Sequence, residues 1–248
     1  EKILKSNQKE VIKNNYMHIL FTRPLDDSQE IILRFKDLGH KVSHMPVIQI
    51  EKVKYKKINF LDYKAIIFTS ANALKFLDTN LIDKKISCFC VGNVTEKKAL
   101  NLGFQNVITA EGNVRNLKEL ILQNFNYSDG RMLYISGENI SNELDKDLAG
   151  QGYNIKRVVN YVSKPNHKLD ENFVNKLKSN MPEVVYIYSL NSAISFLNLI
   201  NSYKLNEFWM NTNLMCISEK TSSVLNKIKW KKIFIFSPGE EEFLLYKI

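Results

Sequence analysis

The stretch Ala65-Ile66-Ile67-Phe68-Thr69-Ser70-Ala71-Asn72-Ala73-Leu74-Lys75-Phe76-Leu77 constrains the fold more than any other, because its plan occurs twice. Its apolar run reads as a buried strand, Thr69-Ser70 as a polar turn, and residues 73, 74 and 77 as one face of a helix that Ser70 caps. Val184-Val185-Tyr186-Ile187-Tyr188-Ser189-Leu190-Asn191-Ser192-Ala193 repeats it, with Ala193, Phe196, Leu197 and Ile200 as the helix face. Each copy leads into a second strand–turn–helix: Phe89-Cys90-Val91-Gly92-Asn93-Val94-Thr95 answers to Met215-Cys216-Ile217-Ser218-Glu219-Lys220-Thr221. An apolar strand then follows in both, at Val107-Ile108 and at Ile233-Phe234-Ile235. A period this long predicts two related halves rather than a solenoid.

The repeat reaches further back. His18-Ile19-Leu20-Phe21-Thr22-Arg23-Pro24 is a strand meeting a turn, and Met132-Leu133-Tyr134-Ile135-Ser136-Gly137 echoes it. After the first, Asp27 and Glu30 have capping-box spacing, Ile31, Ile32, Phe35 and Leu38 form a helix face, and Gly39 closes it. Val42 to Ile50 then reads as extended, with Pro46 inside; its echo is the helix face of Leu144 and Leu148, Gly152, and an extended Ile155 to Val162 closed by Pro165. Thr22, Ser70, Gly92 with Thr95, Ser136, Ser189 and Thr221 therefore all fall at predicted C-terminal strand ends. In open α/β sheets those ends line the ligand crevice, and exposed N–H groups at helix starts bind carboxylates and phosphates. A capping Ser that binds nothing is the commoner use of such a turn.

Composition narrows the class. No apolar run approaches the ~18 residues of a membrane span, and 44% hydrophobic residues in 248 suit a globular chain. Cys88, Cys90 and Cys216 fall in predicted buried strands, and Cys88-Phe89-Cys90 lacks the spacing of a redox or zinc pair. They read as core residues in a reducing cytosol. Glu1 to Tyr16 is polar and lysine-rich, a tail or short helix without a signal-peptide core, and translation could begin at Met17. The net charge of +9 favours an anionic partner or reflects a lysine-rich composition, but no arginine cluster or aromatic stacking platform suggests nucleic acid. No GxGxxG, P-loop, HExxH or GxSxG is present, and His18, His40, His44 and His167 are scattered. Of these, His40 is expected to be exposed and His44 structural. Any chemistry must rest on backbone amides, hydroxyls and a tyrosine.

The ordered set Leu20-Phe21-Thr22-Arg23-Pro24, Pro46-Val47-Ile48-Gln49-Ile50, Phe68-Thr69-Ser70-Ala71-Asn72-Ala73, Val91-Gly92 with Thr95, and Val158-Val159-Asn160-Tyr161 resembles the uroporphyrinogen-III synthase family. The likeness spans about 18–248. Two departures stand in the second half: Tyr188-Ser189-Leu190-Asn191 replaces a Phe-Thr-Ser type run, and Ser218 stands where glycine is common. The resemblance implies an α/β fold of two similar parallel-sheet domains joined by a two-stranded linker, one domain being discontinuous. Domain one is then 1–46 with 166–248, domain two 54–157, and the linker strands 47–53 and 158–165. Pro46 and Pro165 suit the ends of such strands.

The resemblance also implies a reaction in porphyrin and heme biosynthesis. Hydroxymethylbilane, a linear tetrapyrrole with eight carboxylates, loses water, inverts ring D through a spiro intermediate and closes to uroporphyrinogen III, with no metal or cofactor. Thr22, Arg23, Ser70, Ala71, Asn72, Gly92, Thr95, Ser136, Gly137, Ser189, Leu190, Asn191 and Thr221 are then the candidate substrate-binding residues. Tyr161, placed by the resemblance on a linker strand facing the cleft, is the candidate proton donor, since a phenol of pKa ~10 stays protonated at neutral pH. A packing tyrosine is its alternative. The implied enzyme is a cytoplasmic monomer acting on a small molecule, with no nucleic-acid or membrane partner. The rival is a non-catalytic two-domain binding or sensor protein for an anionic small molecule.

Overall fold

A computed structural model describes residues 16–248. The candidate tail at 1–16 lies outside these residues but for Tyr16. The chain forms two parallel-sheet α/β units, one made of Glu1–Gln49 with Lys164–Ile248, the other of Ile50–Ser163, so it passes between them twice.

In the first unit the strands are β1 (His18–Phe21), β2 (Lys41–His44), β9 (Val184–Ile187), β10 (Asn213–Cys216) and β11 (Lys232–Ile235). They lie in the order β11-β10-β9-β1-β2, all parallel. Helix α1 (Leu25–Asp37) connects β1 to β2, α6 (Glu171–Ser179) precedes β9, α7 (Leu190–Ser202) follows it, and α8 (Glu219–Ser223) and α9 (Glu241–Leu245) complete the unit. The central strands β1 and β9 are buried at every residue, as helices on both faces require. On one face Phe21, Phe35, Tyr186 and Phe236 pack together. Phe196, Trp209 and Trp230 form a separate aromatic group.

The second sheet contains β4 (Ala65–Phe68), β5 (Ser87–Val91), β6 (Asn106–Ala110), β7 (Met132–Gly137) and β8 (Ile155–Pro165), with β3 (Ile48–Lys52) at the edge beside β8; β3 and β8 each run past the bounds of the second unit. Its helices are α2 (Ala71–Lys75), α3 (Asn93–Asn101), α4 (Val114–Asn124) and α5 (Leu144–Ala149). Successive residues of β4 and β7 serve opposite faces: Ile66, Phe68, Leu133 and Ile135 join one core cluster, while Ala65, Ile67, Met132 and Tyr134 join the other. The order here is β3-β8-β7-β4-β5-β6. Pairing each strand with its sequence echo turns β2-β1-β9-β10-β11 into β8-β7-β4-β5-β6. The doubled pattern therefore produces one topology twice. In both, the chain winds outward in two directions from a central pair, β1 and β9 or β7 and β4, and such a reversal opens a crevice at the carboxyl ends of the strands.

Several local expectations are corrected. Helix α1 starts at Leu25 behind Pro24 with no side-chain cap, so Asp27 and Glu30 form no capping box; proline's fixed φ suits it to the helix start. The extended run Val42 to Ile50 is broken, β2 ending at His44 and β3 starting at Ile48 around Pro46. His40 is half-buried and accepts the Met17 N–H at Nδ1. In α7 the fully buried leucine is Leu199, while Leu197 is intermediate. Cys88 and Cys90 share one face with sulfurs 3.8 Å apart, and that contact together with burial holds the Cys88 thiol far above its ordinary range.

Candidate functional site

At the carboxyl ends of β4 and β7 the second unit carries a half-open hollow of about 160 Å³, lined by Thr69, Ser70, Tyr134, Gly137, Tyr161, Val114 and the loop 139–142. It thus lies at the reversal point of this sheet. Ligand pockets that take a whole small molecule run to ~300–1,000 Å³, so this one suits part of a larger ligand.

Its walls follow from local sequence. The apolar β4 ends at Phe68, and Ser70, with φ −156° and ψ 142°, accepts the Asn72 N–H at 3.2 Å to start α2. Thr69 and Tyr134 share a hydrogen bond of 3.0 Å between their hydroxyls. Burial raises the Tyr134 phenol above its ordinary value, opposed by the Thr69 bond and the positive charge of Arg157, so it remains protonated. Opposite stands Gly137, where a Cβ would lie 2.7 Å from Tyr161 Cζ and 3.0 Å from its hydroxyl oxygen. Only glycine leaves room for that ring. Arg157 fixes the end of β7: its Nε donates to Ser136 Oγ at 2.7 Å, and Nη2 donates to the carbonyls of Gly137 and Glu138 at 2.7 and 2.9 Å.

Of the candidate residues, Ser70, Gly137 and Tyr161 meet at this hollow. Ala71 and Asn72 are the first two residues of α2, which is only five residues long, so its dipole adds little, and the Asn72 N–H is already taken by Ser70. Ser136 does not head a helix. It lies within β7, 1% exposed, with its hydroxyl engaged by Arg157 and the Gly137 carbonyl, and α5 begins only at Leu144. Gly92 caps α3 at φ 76°, with open space where a Cβ would go, while Thr95 is buried one turn on.

The remaining candidates belong to the first unit. Thr22 is wholly buried and donates its hydroxyl to the Tyr186 carbonyl at 2.6 Å, so it is a structural bond rather than a ligand donor. The Arg23 guanidinium lies 4.7 Å from the centre of the Tyr188 ring, and the Arg23 carbonyl accepts from His44 Nε2 at 2.7 Å. Ser189 caps α7 by accepting the Ser192 N–H at 3.0 Å, with Leu190 and Asn191 as the first two helical residues. Thr221 lies inside α8, 2% exposed; the cap there is Ser218, which accepts the Thr221 N–H at 3.2 Å. Sequence reasoning missed Thr69, Tyr134, Arg157 and the loop 139–142. Tyr134 had one signal: a hydroxyl inside an apolar strand needs a partner at the strand end.

A family model described as uroporphyrinogen-III synthase HemD matches residues 29–238. The chain belongs to the uroporphyrinogen-III synthase family. The enzyme is accordingly a lyase of tetrapyrrole biosynthesis with a tetrapyrrole substrate, and the non-catalytic sensor reading is not favoured. Two solved synthases share the fold. Uroporphyrinogen-III synthetase from Helicobacter pylori is 21% identical with a TM-score of 0.62, over 94% of this chain and 100% of that one. A mutant uroporphyrinogen III synthase from Thermus thermophilus is 14% identical with a TM-score of 0.52, over 93% and 96%. No curated protein matches the chain. Among the described residues no helix is long and apolar enough to cross a membrane, and no group of three or more His, Cys, Asp or Glu could hold a metal ion.

Proposed function

We propose that this synthase cyclises hydroxymethylbilane to uroporphyrinogen III with inversion of ring D, using Tyr161 to protonate the departing hydroxyl. The observation that carries the reading is the meeting of Ser70, Gly137 and Tyr161 in one small hollow at a strand-order reversal. The substrate is a flexible octacarboxylate, so the main task is to hold it in one reactive shape, and positioning of this kind supplies a large share of a barrier. The amides at the starts of α2, α3 and α7 and the Arg23 guanidinium offer contacts to its carboxylates. Tyr134, kept neutral by burial, gives a second hydroxyl at the wall where charge develops. Residues 47–53 and 158–165 are read as linker strands between domains 1–46 with 166–248 and 54–157. The buried thiols fit a reducing, cytoplasmic compartment: burial pushes Cys216 up to about 12, which leaves it inert. A monomer acting without nucleic acid or membrane completes the reading.

The test is turnover. Freshly supplied hydroxymethylbilane should disappear into macrocycle faster than its spontaneous closure. Consumption at the spontaneous rate over a range of enzyme concentrations contradicts the proposal.

A further inference from the structure

A strand that alternates strictly places residues two apart on one face and residues three apart on opposite faces. Strand β8 breaks this rule at the hollow. Val158 and Tyr161 are three apart, yet both pack into the same core cluster with Ala73 and Leu74 of α2. The cause is visible in the pairing with β7. Ser136 is opposite Val159, but Gly137 is opposite Tyr161, so Asn160 is an extra residue in the ladder. Bulges of this kind re-aim a side chain and recur beside active sites.

What holds the bulge is Asn160 itself. Its side chain is wholly buried, and Nδ2 donates to the Ala73 carbonyl at 2.7 Å. Its carbonyl accepts from the Val53 N–H at 2.9 Å. The Oδ1 has no partner among the described residues, and a buried amide used on one side only is costly to keep. Ala73 lies on the helix that Ser70 caps, so one carboxamide ties the Tyr161 strand to that helix.

We propose that Asn160 is a positioning residue for the synthase reaction: it pins the β8 bulge to α2 and so turns the Tyr161 ring onto Gly137. The inference rests on the reading of Tyr161 as proton donor and adds the device that aims it. Without the bond to Ala73 the extra residue can shift along β8, and Tyr161 loses its seat.

The test is a kinetic cycle. Asn160→Ala and the volume-keeping Asn160→Leu are each made in the wild-type enzyme and in Tyr161→Phe. In the wild type each should lower kcat about ten- to a hundredfold, the cost of a small misplacement, with KM within about twofold and Tm lowered by only several degrees, the effect of losing one buried hydrogen bond. In Tyr161→Phe neither should lower kcat further, because the hydroxyl being aimed is already gone. Equal losses in both backgrounds, no loss in the wild type, or failure of both variants to fold would overturn the positioning role. Full kcat in Tyr161→Phe alone would instead overturn the reading of Tyr161, and the two failures are separable.

Discussion

Tyr161 and Gly137 act as a pair, since a methyl group on Gly137 would lie 2.7 Å from the Tyr161 ring. Gly137→Ala should push the ring out of its seat, lowering kcat and costing about 1–3 kcal/mol as overpacked sites do; kcat and urea unfolding of this variant check both. Tyr161→Phe removes only the hydroxyl. General-acid assistance is worth ~10²–10⁴-fold, and a hydroxyl leaving from an electron-rich pyrrole needs little help, so the loss should fall near ~10²-fold. KM should hold, and stability should drop by no more than ~1 kcal/mol. A large fall in Tm with proportionate loss of activity would mark Tyr161 as a packing residue. Two histidines set a pH response. Burial lowers both His18 and His40 below the ordinary imidazole value, partly offset at His40 by Glu242 and Glu183, and protonation would also cancel the acceptor that His40 offers Met17. A lowered folded-state pKa contributes stability above the unfolded value of ~6.5 that is lost as pH falls through the folded one. Melting temperature should therefore decline from pH 7.5 to 5.5, and a flat or rising profile would contradict this.

The strand–turn–helix element is where sequence reasoning succeeded and where it stopped. The apolar runs of β4 and β9, each ending in Ser70 or Ser189, were legible because a buried parallel strand needs an unbroken apolar run and a helix start needs a capping oxygen. Both serines cap as expected. Ser189→Ala should cost about 1 kcal/mol, measured by urea unfolding, because it uncaps the thirteen-residue α7. Local pattern chose wrongly at α1, which Pro24 starts in place of Asp27, and passed over Ser218, which caps α8. The second-half serine at 218 has φ −162° where Gly92 has φ 76°, so equivalent turns are built on different backbones. The hollow itself was only half legible. Ser70, Gly137 and Tyr161 stand in motifs, but Arg157 reaches the end of β7 from twenty residues away, and the Asn160 bulge depends on register between strands. Neither leaves a periodic trace in the chain.

At the scale of the molecule, one strand order built twice gives two reversal points from one design. The first unit's carries Arg23 over Tyr188, the second's the hollow with Tyr161. Under the proposed function the labour divides physically: a guanidinium and helix-start amides would bind carboxylates, while a neutral phenol would deliver the proton. With a net charge of +9, affinity for the octacarboxylate product should fall as salt rises, since exposed charges are screened beyond about 10 Å at 0.1 M; a titration across ionic strength reads this directly, and salt-independent binding would contradict it. The central claim is that the enzyme turns ring D before closing the macrocycle. Spontaneous closure leaves that ring uninverted and gives the type I isomer. The direct measurement is the isomer ratio of uroporphyrin recovered when the protein is given hydroxymethylbilane. The account predicts predominantly type III, and type I alone would contradict it.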